Sequence, residues 1–338
     1  MAMTVHLKDI AAYTGVSAKT VSNVVNGNYA RVSAKTRAQV LEAIEKLNYQ
    51  PDIAARYLRK ARVGVIALAI PDLANPYFAE VANAITAAAA EYSYTVLLDC
   101  TKGKRENELL LVKGLRPHLI DGIILDAQSL ATEDMPQEEI KKHIVLLGER
   151  FLGAPPYDHV VIDNVAAAHL ATSHLLSLGR RRIAAIGVIE HWRSETPMLR
   201  LQGFLQALRE AGQEMDPALL VPMDLWHRAN GAEAMRYLLS LKHPPDAVFC
   251  FNDLLALGAM SMLHEAGLHI PGDVAVVGVD DIEDGRYATP TLTTIAPDKE
   301  KISRLAVSLL IERIKGTRQQ PPERINVPFH LRVRKSTI

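Results

Sequence analysis

The feature that most constrains this chain is a regular alternation, from Val63 onward, of short apolar runs with amphipathic helical patterns. The runs are continuous in Val, Ile and Leu, which is typical of parallel strands buried on both faces. The sequence therefore predicts an α/β body with parallel sheets, and the number of runs favours two open lobes over one closed barrel. The strand-like runs lie at residues 64–70, 95–99, 122–127, 143–149, 159–163, 181–188, 218–224, 247–251 and 273–281.

Polar side chains cluster where these predicted strands end. In open parallel sheets, ligands bind at the carboxyl ends of the strands, so these residues are binding candidates. Each of them alone is equally well explained as a cap of the helix that follows; their convergence at one cleft is what predicts a site. They are Asp72, Asn75, Asp126, Glu149, Arg150, Asp163, Asn164, Asn252, Asp253, Asp280 and Asp281.

Residues 1–48 differ from the body because they contain short helical patterns and no strand-like run. A first amphipathic turn ends at Gly15, and Ser17 is a natural N-cap for a second helix. A third predicted helix begins at Ser33, which is its N-cap. Helix, glycine turn and capped helix form the helix-turn-helix plan, although a three-helix module without a DNA role has the same pattern. On the second helix, Val21, Val24 and Val25 share a face with Ser17 and Thr20, and the opposite face carries Ala18, Lys19, Ser22, Asn23 and Asn26.

Charge is distributed unevenly along the chain. Residues 1–62 hold ten Lys or Arg and four Asp or Glu, a net charge of +6, and the remainder carries −6. A basic block on an acidic body is expected of a nucleic-acid-binding head, while an ordinary solvated surface is the alternative. Together with the helix-turn-helix pattern, the charge favours DNA.

The segment at residues 49–62 reads as a basic connector. Pro51 is placed to open a helix of about two turns, which is marginal in isolation. Such a helix can form only when held against DNA and a second copy, with Leu58 wedged between base steps in the minor groove. The alternative is an ordinary linker in which Leu58 packs on the body.

Several other classes of protein lack support in the sequence. Cys100 and Cys250 lie in apolar runs, without metal or redox spacing. We find no nucleotide-binding glycine motif, no nucleophile elbow and no metalloprotease motif, so no enzyme activity, metal or cofactor is predicted. With no signal-peptide pattern and no apolar run of membrane-spanning length, we expect a cytoplasmic protein.

Specific stretches resemble the LacI/GalR family of bacterial transcription regulators. They are "LKDIAAYTGVSAKTVSNVVNG", "RVSAKTRAQVLEAIEKLNYQPDIAARYL", "VGVIALAIPDLANPYFAEVANAI", "DNVAAAHLATSHLLSLGRRRIAAIG", "FNDLLALGAM", "IPGDVAVVGVDD" and "PTLTTI". The resemblance runs in order over nearly the whole chain.

This resemblance implies three domains: a DNA-binding head at 1–48, a hinge helix or linker at 49–62, and an effector-binding and dimerisation body at 63–338 that is similar to periplasmic binding proteins. It places the N-lobe at about 64–162 and 295–325, and the C-lobe at about 163–294 and 326–338. The implied DNA contacts are Ser17, Ala18, Lys19, Thr20, Ser22, Asn23, Asn26, Arg31, Ser33, Ala55 and Leu58. The implied effector contacts are Tyr77, Phe78, Asp126, Arg200, Trp226, Asn252 and Asp280; Glu149, Arg150 and Asp163 are weaker candidates.

The implied function is a repressor that binds a pseudo-palindromic operator as a homodimer and responds to a small molecule, with a sugar favoured. A purine or other metabolite acting as corepressor is the alternative, and a solute-binding protein is a remote one. Three positions depart from the family pattern. Asn23 stands where Arg is common, Asp52 follows Pro51 where Asn is common, and Pro297 lies near a usual polar contact.

Overall fold

The computed structural model describes residues 5–25, 28–49, 62–113, 119–135, 143–149, 157–189 and 195–338. It divides into two compact units, Met1–Val63 and Gly64–Ile338. The predicted connector helix at residues 52–59, with Ala55 and Leu58, lies outside the described residues, as do Asn26 and Arg150.

The described residues of the first unit form three α-helices around a small apolar core. They are α1 (Leu7–Thr14), α2 (Ala18–Val25) and α3 (Ala34–Lys46), with a 3₁₀ turn at Tyr29–Arg31. Gly15 ends α1 with a φ of 67°, a left-handed conformation that is cheap only for a residue without a Cβ. This glycine makes the short turn between α1 and α2 possible.

The core of the first unit uses one face of each helix. Ile10, Val21 and Val40 are completely buried, and Val24 is 2% exposed. Val25, predicted on the same face, is only half-buried, and Ser17, also predicted there, is exposed because it caps the helix. β-branched valines are mediocre helix formers, but here they pack a helix of only eight residues tightly against two others.

The second unit contains two lobes, each built on one sheet, which confirms the predicted α/β class. Its strands are β1 (Val65–Ile70), β2 (Thr95–Cys100), β3 (Gly122–Asp126), β4 (His143–Leu147), β5 (Asp158–Val161), β6 (Ile183–Val188), β7 (Leu220–Pro222), β8 (Ala247–Cys250), β9 (Ala275–Val279), β10 (Thr293–Pro297), β11 (Arg324–Asn326) and β12 (Phe329–Arg332). Its helices are α4 (Pro76–Glu91), α5 (Arg105–Val112), α6 (Asn164–Ser177), α7 (Glu195–Glu210), α8 (Arg228–Ser240), α9 (Asp253–Glu265), α10 (Glu283–Tyr287) and α11 (Lys299–Lys315).

The first sheet has the strand order β11-β5-β4-β3-β1-β2, and all of its pairs are parallel. The second has the order β12-β10-β9-β8-β6-β7. Its pairs are parallel except for β12, which runs antiparallel to β10. The sequence predicted parallel sheets only, so the antiparallel pairing of β12 with β10 differs from that prediction.

The chain crosses between the lobes after β5, after β10 and after β11. The sequence placed the second crossing near residue 295 and the third near 325. In the structure all of Thr293–Pro297 belongs to the second sheet, and Arg324–Asn326 belongs wholly to the first. Both boundaries therefore move a few residues toward the carboxyl terminus. The helix α11, which follows β10, packs on α4 and on the first sheet.

Glycines allow pairs of helices in the second lobe to approach closely. A Cβ at Gly203 of α7 would lie 2.1 Å from the carbonyl oxygen of Val165 in α6, and one at Gly258 of α9 would lie 1.9 Å from that of Arg228 in α8. No side chain fits at such distances. These contacts fix the positions of α7 and of the amino ends of α8 and α9, where cavity residues lie.

Candidate nucleic-acid interface and ligand cavity

The second helix of the first unit presents short polar side chains on the face opposite its core. On that face Ala18 and Lys19 are exposed, and Ser22 and Asn23 are half-buried. Thr20, on the face of the valines, is also half-buried. The Oγ of Ser17 accepts the backbone N–H of Thr20 at 3.1 Å, so this residue is the N-cap of α2. Short side chains let a helix backbone approach base edges in a major groove, and an asparagine amide matches adenine.

The other described candidates of the first unit lie at helix ends. Arg31 is exposed at the end of the 3₁₀ turn. Ser33 caps α3, with its Oγ 3.1 Å from the backbone nitrogen of Thr36. A capped helix start with a nearby cation is suited to a DNA phosphate, because backbone N–H groups and the helix dipole favour an anion there.

In the second unit, the carboxyl ends of the strands of both lobes face one cavity of about 1030 Å³. Its walls combine the segment between β1 and α4, the ends of β3 and β4, and the loops that precede α6, α8 and α9. The seven effector candidates from the sequence all line it: Tyr77, Phe78, Asp126, Arg200, Trp226, Asn252 and Asp280. The volume is at the upper end of the range usual for small-molecule sites, about 300–1,000 Å³.

Arg200 is a buried cation in the wall formed by α7, and only 7% of it is exposed. Its Nε donates to Oδ1 of Asn164 at 2.6 Å, and its Nη1 donates to the carbonyl oxygen of Phe251. Two of its five N–H groups are therefore used within the protein. The guanidinium carbon also lies 5.6 Å from the centroid of the Trp226 ring, so both face the same part of the cavity.

Trp226 and Asn252 form a second wall. The amide nitrogen of Asn252 donates to the carbonyl oxygen of Trp226 at 3.0 Å, and its Oδ1 accepts the N–H of Leu255 at 2.8 Å as the cap of α9. The indole packs edge-on against Phe251, with 6.0 Å between the ring centroids. Its Nε1 is buried and has no hydrogen-bond partner among the described residues. The wall thus offers a flat aromatic face to the cavity.

Three buried carboxyl groups give the cavity its acidic character. Burial raises the pKa of Asp126 to about 7 and that of Asp280 to about 7. Burial also raises the pKa of Glu149, an effect that the charge of Arg200 opposes. Gln128 donates to Asp126, and the N–H of Ile162 donates to Glu149 at 3.2 Å. These groups accept hydrogen bonds when ionised, and a ligand with several hydroxyl groups can supply them.

Tyr77 and Phe78 enter from the first turn of α4. Pro76 occupies the first helical position and Asn75 caps the helix, with its Oδ1 3.1 Å from the N–H of Tyr77. The two rings pack edge to face with 5.3 Å between centroids. Burial raises the pKa of Tyr77, with smaller contributions from Asp280, Asp126 and Glu149. Tyr77 thus stays neutral beside the three acids and can donate a hydrogen bond.

Family models match parts of both units of the chain. Residues 6–52 match the family model of bacterial regulatory proteins of the lacI family, and residues 172–337 match that of a periplasmic binding protein-like domain. The HTH-type transcriptional repressor CytR of Escherichia coli strain K12 is 33% identical over 312 residues, which are 92% of this chain and 90% of the relative. The chain belongs to the LacI family of bacterial regulatory proteins.

Solved structures extend this similarity to the whole fold of the LacI-family chain. The complex of the transcriptional regulator CelR with cellobiose is 32% identical, with a TM-score of 0.72 over 98% of this chain and 99% of the other. The lac repressor dimer bound to operator and the anti-inducer ONPF is 28% identical, with a TM-score of 0.85 over 99% and 100%. This LacI-family protein is therefore a DNA-binding transcriptional repressor with a body that takes a small-molecule effector.

The cavity of this LacI-family protein also contains residues that the sequence ranked lower. Glu149 was a weaker candidate, yet it is 7% exposed and lines the cavity. Asn164, named only among polar residues at strand ends, also lines it and holds Arg200. Asp163 was the candidate of that pair, but it is exposed, and its Oδ1 accepts the N–H of Ala166 as the cap of α6. Asn164 rather than Asp163 therefore lines the cavity, because Asp163 is exposed and caps α6.

Among the described residues there is no group of three or more His, Cys, Asp or Glu placed to hold a metal ion. The helices described are each too short or too polar to cross a membrane. Pro297 does line the cavity, so one wall position that the sequence flagged as unusual is apolar.

Proposed function

We propose that this repressor binds a carbohydrate in the cavity between its lobes and that this ligand controls operator binding without any chemical reaction. One observation carries the proposal: an indole face at Trp226 lies beside the buried cation Arg200, and the carboxyl groups of Asp126, Glu149 and Asp280 line the same cavity. A sugar presents an apolar ring face and hydroxyl groups that donate and accept. The cellobiose complex of the related CelR supports this ligand class.

We also propose which residues of the first unit read DNA. Lys19, Ser22 and Asn23 of α2 contact base edges or phosphates, and Arg31 and Ser33 contact the backbone; Ser17, Ala18 and Thr20 form the start of the reading helix. Asn26, Ala55 and Leu58, which lie outside the described residues, stay predictions from the sequence. Because its target is chromosomal DNA, we place the protein in the cytoplasm.

We further propose a homodimer on a pseudo-palindromic operator. The edge strand β2 carries two exposed leucines, Leu97 at 37% and Leu98 at 40%, and Leu110 of α5 is 50% exposed. Apolar side chains gathered near a sheet edge favour an interaction surface. The related lac repressor binds its operator as a dimer, which supports the same assembly here.

The affinities of the repressor for sugar and for operator DNA are thermodynamically linked. If a sugar weakens operator binding by some factor, operator DNA must weaken sugar binding by the same factor. The competing proposal is a purine or another metabolite that strengthens operator binding. An inducing sugar and such a corepressor differ in whether the ligand weakens or strengthens operator binding.

The test begins with a thermal-shift screen of the full-length protein against D-ribose, D-xylulose, cellobiose and nucleobases. A ligand that binds the folded state raises the unfolding temperature, by an amount that grows with the ratio of its concentration to its Kd. Operator duplexes selected from a random pool are then titrated by fluorescence anisotropy, with and without the ligand. A sugar that raises the unfolding temperature and changes operator affinity supports the proposal. A response to nucleobases alone supports the competing metabolite.

The variant Asp280→Asn checks the site itself. It removes a cavity-facing charge while keeping shape, so we expect sugar affinity to fall about ten- to a hundredfold and operator affinity without sugar to stay unchanged. Asp163→Asn is the matched control, because Asp163 is exposed and asparagine is an equally good N-cap. Equal loss in both variants would place the sugar elsewhere.

A further inference from the structure

Lys299 joins the two lobes beside the cavity without lining it. It is the first residue of α11, which packs on the first lobe. Its Nζ donates to the carbonyl oxygens of Asp280 at 2.8 Å and of Asp281 at 2.9 Å, in the loop that follows β9 of the second lobe. The side chain is only 13% exposed. A buried ammonium therefore holds two consecutive backbone carbonyls of the segment that carries the cavity residue Asp280.

The segment that Lys299 holds has an unfavourable backbone conformation. Asp280 has a φ of 119° and Asp281 a φ of 50°, whereas residues with a Cβ normally avoid positive φ. Such conformations persist only where the surrounding structure imposes them, and they concentrate at ligand sites. On the other side of the segment, the N–H of Asp280 donates to the carbonyl oxygen of Ile295 at 2.9 Å. The direction of the Asp280 carboxyl group thus depends on contacts from both sides.

Glu80 of α4 completes the connection. One of its carboxylate oxygens pairs with the ammonium of Lys299, and the other accepts the N–H of Glu283, the first residue of α10, at 3.1 Å. The helix α4 is the same helix that brings Tyr77 into the cavity, and the Lys299 Nζ lies 5.9 Å from the centroid of the Tyr77 ring. The ion pair lies within the first lobe, and it contacts the second lobe through hydrogen bonds to the backbone of Asp280, Asp281 and Glu283.

We propose that Lys299 and Glu80 are positioning residues that hold the Asp280 carboxyl group toward the ligand and couple its direction to the closure of the lobes. If the lobes separate, Glu80 loses the N–H of Glu283, and Lys299 cannot keep both its carboxylate and its two carbonyl partners. The positive-φ segment is then released, and Asp280 loses the arrangement that a ligand needs. This proposal rests on the proposed function, since it assigns a role at the same cavity.

Hydrogen–deuterium exchange of the full-length protein, without DNA or sugar, tests the proposal directly. The amides of Asp280, Ile282 and Glu283 donate to Ile295, Asp253 and Glu80, so their protection reports whether the segment is held. In Lys299→Met we expect this protection to fall at least about tenfold, with a similar fall in Glu80→Ala. Lys301→Met is the control, because Lys301 is exposed and lies on the same helix. Lys299→Arg, which keeps the charge and the donors, should retain most of the protection.

Sugar affinity is measured in parallel by calorimetry with D-ribose, D-xylulose and cellobiose. A positioning role lowers the affinity in Lys299→Met at least about tenfold while operator affinity without sugar stays as in the parent protein. Unchanged exchange at Asp280–Glu283 in Lys299→Met would overturn the proposal, and so would a loss of protection spread over both lobes. Because the exchange is measured without any ligand, this result can fail while operator binding and its sugar response, which test the proposed function, still hold.

Discussion

Thr196 donates its hydroxyl hydrogen to Glu149 across the cavity, with 3.1 Å between Oγ1 and Oε2. Thr196 lies in the first turn of α7 in the second lobe, and Glu149 follows β4 in the first lobe. The contact joins the two lobes through a carboxyl group that is almost completely buried. Thr196 and Glu149 both line the cavity, whereas Lys299 and Glu80 do not.

Replacing Thr196 by valine keeps the shape of the side chain and removes the donor. Glu149 then keeps a buried oxygen with one fewer hydrogen bond, so we expect the free energy of unfolding to fall by about 1–3 kcal/mol. Urea unfolding measures this change. Thr86→Val is the control, because the hydroxyl of Thr86 is exposed and bonds only within its own helix. An equal effect of both substitutions would mean that the contact between the lobes adds nothing.

The pH dependence of stability depends on the buried acids. Burial raises the pKa of Asp126 from its ordinary value to about 7. When the pKa of a carboxyl group is higher in the folded than in the unfolded protein, the group stabilises the fold fully at a pH below its pKa in the unfolded protein. This stabilisation is lost as the pH rises through its pKa in the folded protein. The cost of ionising Asp126 therefore grows between roughly pH 4 and pH 7.

Asp126→Asn removes this cost. Relative to the parent protein, we expect the variant to gain about 1–3 kcal/mol more stability at pH 8 than at pH 5, measured by urea unfolding without ligand. If Asp126→Asn shifts stability equally at both pH values, Asp126 does not titrate in this range.

Asn23 on α2 determines a base preference in the proposed interface. Asparagine matches adenine and arginine matches guanine, so Asn23→Arg should move the preference at one symmetric operator position by about 1–3 kcal/mol. Selection from a random duplex pool followed by anisotropy measures it. Ala38→Arg adds the same charge on the exposed side of α3, and it should change affinity similarly for all sequences. An unchanged preference in Asn23→Arg would remove this residue from base readout.

The proposed dimer depends on the edge strand β2. Leu98→Lys places a charge on an apolar surface, and we expect dimer affinity to fall at least about tenfold, which sedimentation velocity detects as a shift toward monomer. Leu178→Lys is matched in exposure, at 39% against 40%, but lies at the end of α6. Dissociation of both variants, or of neither, would contradict an interface at β2.

Local pattern predicted nine of the twelve described strands, β1 to β9, but it missed β10, β11 and β12, and it did not give the strand ends. The predicted strand at 273–281 is Ala275–Val279, because Asp280 and Asp281 adopt positive φ and terminate it. Apolar periodicity carries no information on such a conformation. The stretch "LTTIAP", which contains β10, was not among the predicted strands. In the structure the hydroxyl of Thr294 donates to buried Asp253 at 2.6 Å, a tertiary contact that local pattern cannot show.

The sequence was enough to name most of the residues that line the cavity, but it could not predict their hydrogen-bond partners. Arg200 was named from the family resemblance, but its partners Asn164 and Phe251 are 36 and 51 residues away in sequence. The role of Lys299 was missed altogether, since a lysine at the start of a helix has no pattern that distinguishes it from a solvated one. Its signal is three-dimensional: a low exposure and two carbonyl partners 18 and 19 positions away.

The late strands β11 and β12 have a consequence for synthesis on the ribosome. The first sheet needs residues 324–326 at its edge, and the second needs residues 329–332. Neither lobe can complete its sheet until translation has passed these positions, whereas the three helices that end at Lys46 need nothing beyond their own neighbourhood. The DNA-binding head of the nascent chain can therefore fold long before the two lobes that form the ligand cavity. We expect chaperones to bind the incompletely folded lobes during that interval.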